Sequence, residues 1–180
     1  METYTVHIGG VDKELPIVPI TDDLSIAAFV IFGDTDIVEP CARALAEKIP
    51  AEAEYLITAE AKSIPLIYEL AKVMKMPRYI IARKSVKGYM SHPIVTTVHS
   101  ITTDKEQILC LDEEDIDRIK GKKIAIIDDV ISTGESVAAL EELVTRAGGE
   151  VVCRAAVLAE GAAADRKDIV YLDKIPLFKK

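Results

Sequence analysis

Apolar residues recur along this chain in two alternating rhythms. Ile37, Cys41 and Leu45 return every four residues with Val38 beside them, the stripe of an amphipathic helix from about Asp36 to Lys48, and Thr35 or Asp36 can cap its free N–H groups. Tyr55 to Thr58 is a short apolar run closed by a polar turn. Beyond Pro65, a residue suited to a first helical turn, Ile67, Leu70, Ala71 and Met74 resume helical spacing. Arg78 to Ala82 and Gln107 to Leu111 read as further strands, and Ile124 to Ile127, the most apolar run, as the central one. Val137, Leu140, Val144 and Ala147 form the next helical stripe, ended by Gly148-Gly149, after which Val151 to Leu158 and Ile169 to Leu172 return to strand patterning. Strands separated by helices of about a dozen residues imply βαβ units. The expected class is α/β, a mainly parallel central sheet flanked by helices, with ligands beyond the carboxyl ends of its strands.

Two stretches break the rhythm. Residues 1–34 carry a Gly9-Gly10 turn between short extended runs, then Pro16 and Pro19, which favour edge or loop geometry; they read as a flap or hood. Residues 84–106 have little apolar periodicity and many Ser, Thr, His and Lys, so a mobile functional loop is expected there. The 180 residues suit one domain spanning 1–180. With 49% hydrophobic and 29% charged residues, a packed core is expected and disorder is not. The formal charge of −8 argues against a nucleic-acid partner. Cys41, Cys110 and Cys153 are odd in number and far apart, which fits buried thiols better than disulfides or a zinc knuckle. The N-terminus lacks a basic segment followed by an apolar one, and no run nears the ~18 apolar residues of a membrane span, so a cytoplasmic protein without a membrane partner is expected.

The strongest constellation runs from Ile124 to Ser136. It sets two adjacent carboxylates, Asp128 and Asp129, at the exit of the central strand, then Ser132, Thr133, Gly134, Glu135 and Ser136 at a helix start. Such a turn aims free N–H groups and the positive end of a helix dipole at one point, which suits a phosphate monoester. The carboxylates can accept from vicinal hydroxyls or act on a divalent cation. Glu135 would repel a phosphate unless its side chain points away. Neither a Walker loop nor a G-x-G-x-x-G fingerprint occurs. His7, His92 and His99 are isolated and the Glu113–Asp117 run reads as a solvated helix start, so no residue is expected as a dedicated metal ligand.

At these residues, and over about residues 35 to 160, the chain resembles the type I phosphoribosyltransferases. Their signature is an apolar strand, two acids and a Thr-Gly phosphate loop gripping phosphoribosyl pyrophosphate. Asp-Asp is similar to the adenine and xanthine branch; Thr58-Ala59-Glu60-Ala61-Lys62 resembles the adenine enzymes' pyrophosphate loop, and Ala82-Arg83-Lys84 their Arg-Lys pair. Lys62 stands in place of the family's arginine and Ser63 of its glycine, and Val86-Lys87-Gly88-Tyr89 departs from the usual mobile-loop stretch.

The resemblance implies a homodimeric Mg²⁺-dependent enzyme that moves 5-phosphoribosyl from phosphoribosyl pyrophosphate to a purine. Adenine, giving AMP and pyrophosphate, stands slightly ahead of xanthine, hypoxanthine and guanine. Asp128, Asp129 and Lys84 would serve catalysis, Ser132 to Ser136 the 5-phosphate, and Ala59, Glu60, Ala61, Lys62, Arg83 and Lys87 the pyrophosphate. The base would lie between Ile31 or Phe32 of the hood and Val157 or Leu158 of the late strand, with Glu160 accepting from an N–H edge. A non-catalytic sensor of phosphoribosyl pyrophosphate or a nucleotide is the alternative, kept alive by the departures at Lys62 and Val86.

Overall fold

A computed structural model describes residues 2–98 and 107–179. The last part of the expected loop, with His99, therefore lies outside the described residues.

Five parallel strands form the centre: β4 (Tyr55–Ala59), β5 (Ile80–Ala82), β8 (Lys123–Ile131), β9 (Glu150–Glu160) and β10 (Val170–Ile175), ordered β10-β9-β8-β4-β5. Helices α1 (Thr35–Ala46) and α2 (Ile64–Val73) cover one face, while α3 (Glu113–Ile119) and α4 (Glu135–Arg146) pack on the other. The sheet is buried on both sides, so consecutive residues feed opposite cores. Leu56, Ala125, Ile127 and Ala155 meet Leu45, Leu66 and Leu70, whereas Ile57, Ile124, Ile126 and Ala156 meet Val137, Leu140 and Val144. This explains why Ile124 to Ile127 is apolar without alternation.

The central strand is longer than its apolar run. β8 continues through both acids, pairing Asp128 with Ala156 and Ile131 with Ala159 of β9, because ladder bonds use the backbone and are indifferent to side-chain charge. The acids thus lie within the strand's last turns rather than past its exit. Asp34, rather than Thr35 or Asp36, takes the N-cap position of α1; its carboxylate is turned to an ion pair with Lys13 of the preceding sheet and makes no cap bond.

The hood is a sheet of its own. β1 (Thr3–Ile8), β2 (Val11–Pro19), β3 (Leu24–Ala27) and β11 (Leu177–Lys179) pair antiparallel in that order, so both ends of the described chain build it. Pro16 and Pro19 sit inside β2 against expectation. Proline lacks only the donor, and Pro16 O still accepts from Ala28 N at 2.9 Å while Pro19 ends the strand. The Gly9 turn rests on α1: at φ +60, a Cβ there would stand 2.5 Å from the carbonyl carbon of Pro40.

Residues 84–106 are not structureless throughout. Ile94–Val98 forms β6 and pairs antiparallel with β7 (Gln107–Leu111), and Arg146 of α4 donates to Val95 O at 2.7 Å. All three cysteines are free and buried, as the sequence suggested, and burial pushes the Cys41 thiol up to about 12. No helix among the described residues is long and apolar enough to cross a membrane.

Candidate active site

Five groups of residues converge at the carboxyl end of the sheet. The loop after β4 (Ala59 to Ser63), Lys84 after β5, Asp128 and Asp129 of β8, Ser136 at the start of α4, and Val98 with Gln107 to Leu109 of the hairpin line one cleft. A second hollow of about 110 Å³ adjoins it, formed by the Ser132–Ser136 turn and sharing Asp128 and Ser136. The parallel order of β5, β4 and β8 brings these loops to one side, because every parallel strand ends at the same edge of the sheet.

The two acids occupy different environments. Asp129 is 2% exposed, on the α2 side, with Lys62 Nζ 3.5 Å from its Oδ2, an atom that is buried and has no hydrogen-bond partner among the described residues. Asp128 is partly exposed on the cleft side; its Oδ1 accepts from Ser63 Oγ at 3.1 Å and from the Asp129 amide at 2.9 Å. Burial first, and then the neighbouring Asp129 charge, raise the Asp128 carboxyl to about 7. Two carboxylates side by side in a partly closed cleft resist double ionisation, so the pair is poised for ligands that supply positive charge or hydroxyl donors.

Glu60 turns away from the cleft's centre. Its Oε2 accepts from the Lys84 amide at 3.0 Å and from Arg83 Nε at 3.1 Å, and these bonds, the amide's first, hold its carboxyl below the ordinary range. Arg83 also donates through Nη1 to Tyr89 OH at 2.7 Å. It faces a neighbouring hollow with Tyr79 and Arg118 rather than the acid pair. Glu60 is thus a bracket between the β4 and β5 loops.

In the Ser132–Ser136 turn, Gly134 takes the N-cap position of α4 at φ +84, a left-handed conformation that glycine adopts without strain. Ser132 and Thr133 are exposed, and Ala138 N is the amide that reaches back to Gly134 O, at 2.9 Å. The amides before it belong to the helix's free first turn. Glu135 lines the hollow too.

Other expected contacts fall elsewhere. Lys87 Nζ is bonded to Ser85 Oγ within its own loop. Leu158, Val157 and Ile31 are wholly buried core residues, so they back a base site instead of walling it. Phe32 is half exposed on the hood, and Glu160 ends β9; neither lines the two hollows. Two contributors escaped the sequence reading. Ser63, which looked only like a lost glycine, links the Ala59–Ser63 loop to the acid pair. The hairpin end at Val98 and Gln107 lines the cleft as well, Val98 lying in the stretch that reads as a loop and Gln107 at the start of an expected strand.

With this geometry in place, comparison with known proteins is informative. A family model described as a phosphoribosyl transferase domain matches residues 35–178. A xanthine phosphoribosyltransferase of Chloroflexus aurantiacus is 31% identical over 126 residues, 69% of this chain and 58% of the relative. A hypoxanthine/guanine phosphoribosyltransferase of Methanocaldococcus jannaschii is 37% identical over 99 residues, covering 55% and 50%. The chain thus spans about half the length of these curated relatives. Among solved structures, the adenine phosphoribosyltransferase of Thermoanaerobacter pseudethanolicus superposes with a TM-score of 0.70 at 17% identity, over 89% of this chain and 95% of that one. That of Rhodothermus marinus gives 0.67 at 22% identity, over 89% and 93%. At these identities the likeness establishes a shared fold.

Proposed function

The chain belongs to the phosphoribosyl transferase family, and from that premise we propose that it is an enzyme transferring 5-phosphoribosyl from phosphoribosyl pyrophosphate to a ring nitrogen of a purine. The observation that carries the proposal is the meeting, in two adjoining hollows that share Asp128 and Ser136, of the acid pair Asp128-Asp129, the Ala59–Ser63 loop and the Ser132–Ser136 turn. The ribose C1–O bond to pyrophosphate breaks, a C1–N bond to the base forms, and the base gives up its N–H proton. Positive charge develops on the ribose as pyrophosphate departs, and negative groups beneath it lower that barrier. Asp128 and Asp129 take the ribose hydroxyls in this scheme, a role supported by the partly exposed Asp128, which lines both hollows, with Asp129 beside it in the lining of the first. The Ser132–Ser136 turn receives the 5-phosphate on the free amides of α4's first turn. Lys62 passes from Asp129 to the pyrophosphate, and Lys84, whose amide Glu60 fixes, stands across the cleft from it.

Magnesium is part of the proposal. Among the described residues no group of three His, Cys, Asp or Glu side chains could hold an ion, so a protein cage does not fit. An ion held chiefly by substrate oxygens does fit, with Asp128 and Asp129 of the cleft lining as the residues that would help to hold it. When bound it would neutralise charge on the leaving pyrophosphate. A homodimer also stays a proposal, tested by sedimentation.

For the base, we favour an oxopurine over adenine. Relatives named for xanthine and for hypoxanthine/guanine share 31% and 37% identity, whereas the adenine-named structures at 17% and 22% speak for the fold. Glu160 is the proposed acceptor for an oxopurine ring N–H, with Phe32 stacking from the hood. Pyrophosphate release measured with adenine, hypoxanthine, guanine and xanthine, with and without Mg²⁺, tests both levels. A kcat/KM highest for adenine would overturn the base assignment alone. Tight binding of phosphoribosyl pyrophosphate with no release for any base would replace the enzyme with the sensor.

A further inference from the structure

We propose that Arg166 is a positioning residue for the phosphate turn, its guanidinium held by Asp168 against Gly134 so that the turn keeps the shape that receives a 5-phosphate. The inference rests on the reading of the cleft given above.

Arg166 follows the 3-10 turn Gly161–Asp165 that leads from β9 towards β10, and its own amide donates to Ala163 O at 3.1 Å. Its Nε and Nη2 donate to the two oxygens of Asp168 at 2.9 and 2.6 Å, a fork that fixes the plane of the guanidinium. Arg166, more than any other group, holds the Asp168 carboxyl down at about 2, so the fork stays charged at any working pH. The remaining nitrogen, Nη1, has no hydrogen-bond acceptor among the described residues. It lies against the turn: a Cβ built on Gly134 would stand 2.5 Å from it.

Two features make this more than surface packing. The turn itself carries Glu135 and shares a hollow with Asp128, so an arriving phosphate meets carboxylates there, and Arg166 is the cation set beside them. On α4, Glu141 is bound through Oε2 by Arg154 Nε of β9 at 3.0 Å, and its charge acts on Arg166 as well. Arg154 thus binds the body of helix α4, and Arg166 lies against its N-cap glycine. A neutral residue at 166 removes the second contact and the positive charge together.

The test compares wild type with R166Q, R166K and D168N by calorimetric titration with ribose 5-phosphate and, separately, with inorganic pyrophosphate in magnesium buffer. R166Q is expected to weaken ribose 5-phosphate about tenfold while leaving pyrophosphate within about twofold, since only the first ligand uses the turn. R166K recovers part of the loss, and D168N loses less than R166Q because the cation remains but is unheld. Thermal unfolding of each variant is read alongside. Ribose 5-phosphate bound as tightly by R166Q as by wild type overturns the proposal, and so does an equal loss of both ligands, the mark of a purely structural brace. A wild type that binds neither ligand refutes the reading of the cleft, and the proposal with it.

Discussion

Asp128 and Asp129 show how a binding group and a stable fold oppose each other at single residues. The folded state keeps a proton on Asp128 up to about 7, raised from the ordinary 3.8 by burial and by Asp129, whereas the unfolded chain releases it near 3.8. Between those values the folded state binds more protons than the unfolded one, so this group's contribution to stability falls as pH rises through the window and is lost above about 7. D128N should therefore raise Tm at pH 8, by roughly 3 °C or more, and change it less at pH 5. Turnover should fall by about 10- to 150-fold, the worth of a charge-assisted hydrogen bond made in the transition state. Scanning calorimetry at the two pH values and pyrophosphate-release kinetics check both halves; a lower Tm at pH 8 would deny the like-charge strain. Lys62 sits at the same junction from the other side, with its side chain 61% exposed and only its tip near Asp129. K62A is expected to raise KM for phosphoribosyl pyrophosphate about tenfold with a smaller change in kcat, because in the proposed scheme the lysine binds the departing group without fixing the ribose.

At the scale of elements, what the sequence revealed depended on how far an element's packing shows in its own residues. Helices α1, α2 and α4 were legible because each buries one stripe, as with Val137, Leu140 and Val144. Strand β8 was legible as a buried run, but its continuation through Asp128 to Ile131 was not, since that depends on the ladder with β9. The Ser132–Ser136 turn was read from its composition, whereas Ser63 meets the acids and Arg166 meets Gly134 through contacts between residues far apart in sequence. Strand β6 was missed for the same reason: Ile94 to Val98 pairs with β7 and leans on α4, so its sequence looks like a loop. Hydrogen exchange separates the two parts of the expected lid. Amides of Ile94–Val98 should be protected in the free protein by the hairpin ladder, while those of residues 84–93 should gain protection only when phosphoribosyl pyrophosphate is added. Equal protection of both parts without ligand would remove the lid. The Gly9 turn offers a second element-level test. G9A forces a side chain into a left-handed conformation and against the backbone of Pro40, so urea unfolding should show a loss of about 2 to 4 kcal/mol.

Across the whole molecule, charge and topology have to be reconciled with the polyanionic substrate proposed above. A net charge of −8 repels it at long range, so attraction must come from the cations gathered at one edge: Lys62, Lys84 and Arg83 around the β4 and β5 loops, and Arg166 behind the phosphate turn. The hood contributes none of these cations, which separates its task from phosphate binding. Its four strands come from both ends of the described chain: Leu177–Lys179 pairs with Leu24–Ile26, and Phe178 meets Tyr4 edge to face at 5.8 Å. β11 follows directly on β10, the parallel neighbour of β9 whose end carries Glu160, and Leu177 presses on Gly161 beside it. Closure of the hood thus sets where Phe32 stands relative to Glu160, the two groups proposed for the base. Deleting Leu177–Lys179 leaves β3 as an open edge and lets the hood shift, without touching the acid pair or the phosphate turn. The expected outcome is a KM for the purine raised about tenfold and a lower Tm, with the dissociation constant of phosphoribosyl pyrophosphate changed less than about threefold. Should phosphoribosyl pyrophosphate weaken as much as the purine, the hood would be a support for the whole cleft, and the division of labour between sheet edge and hood would be wrong.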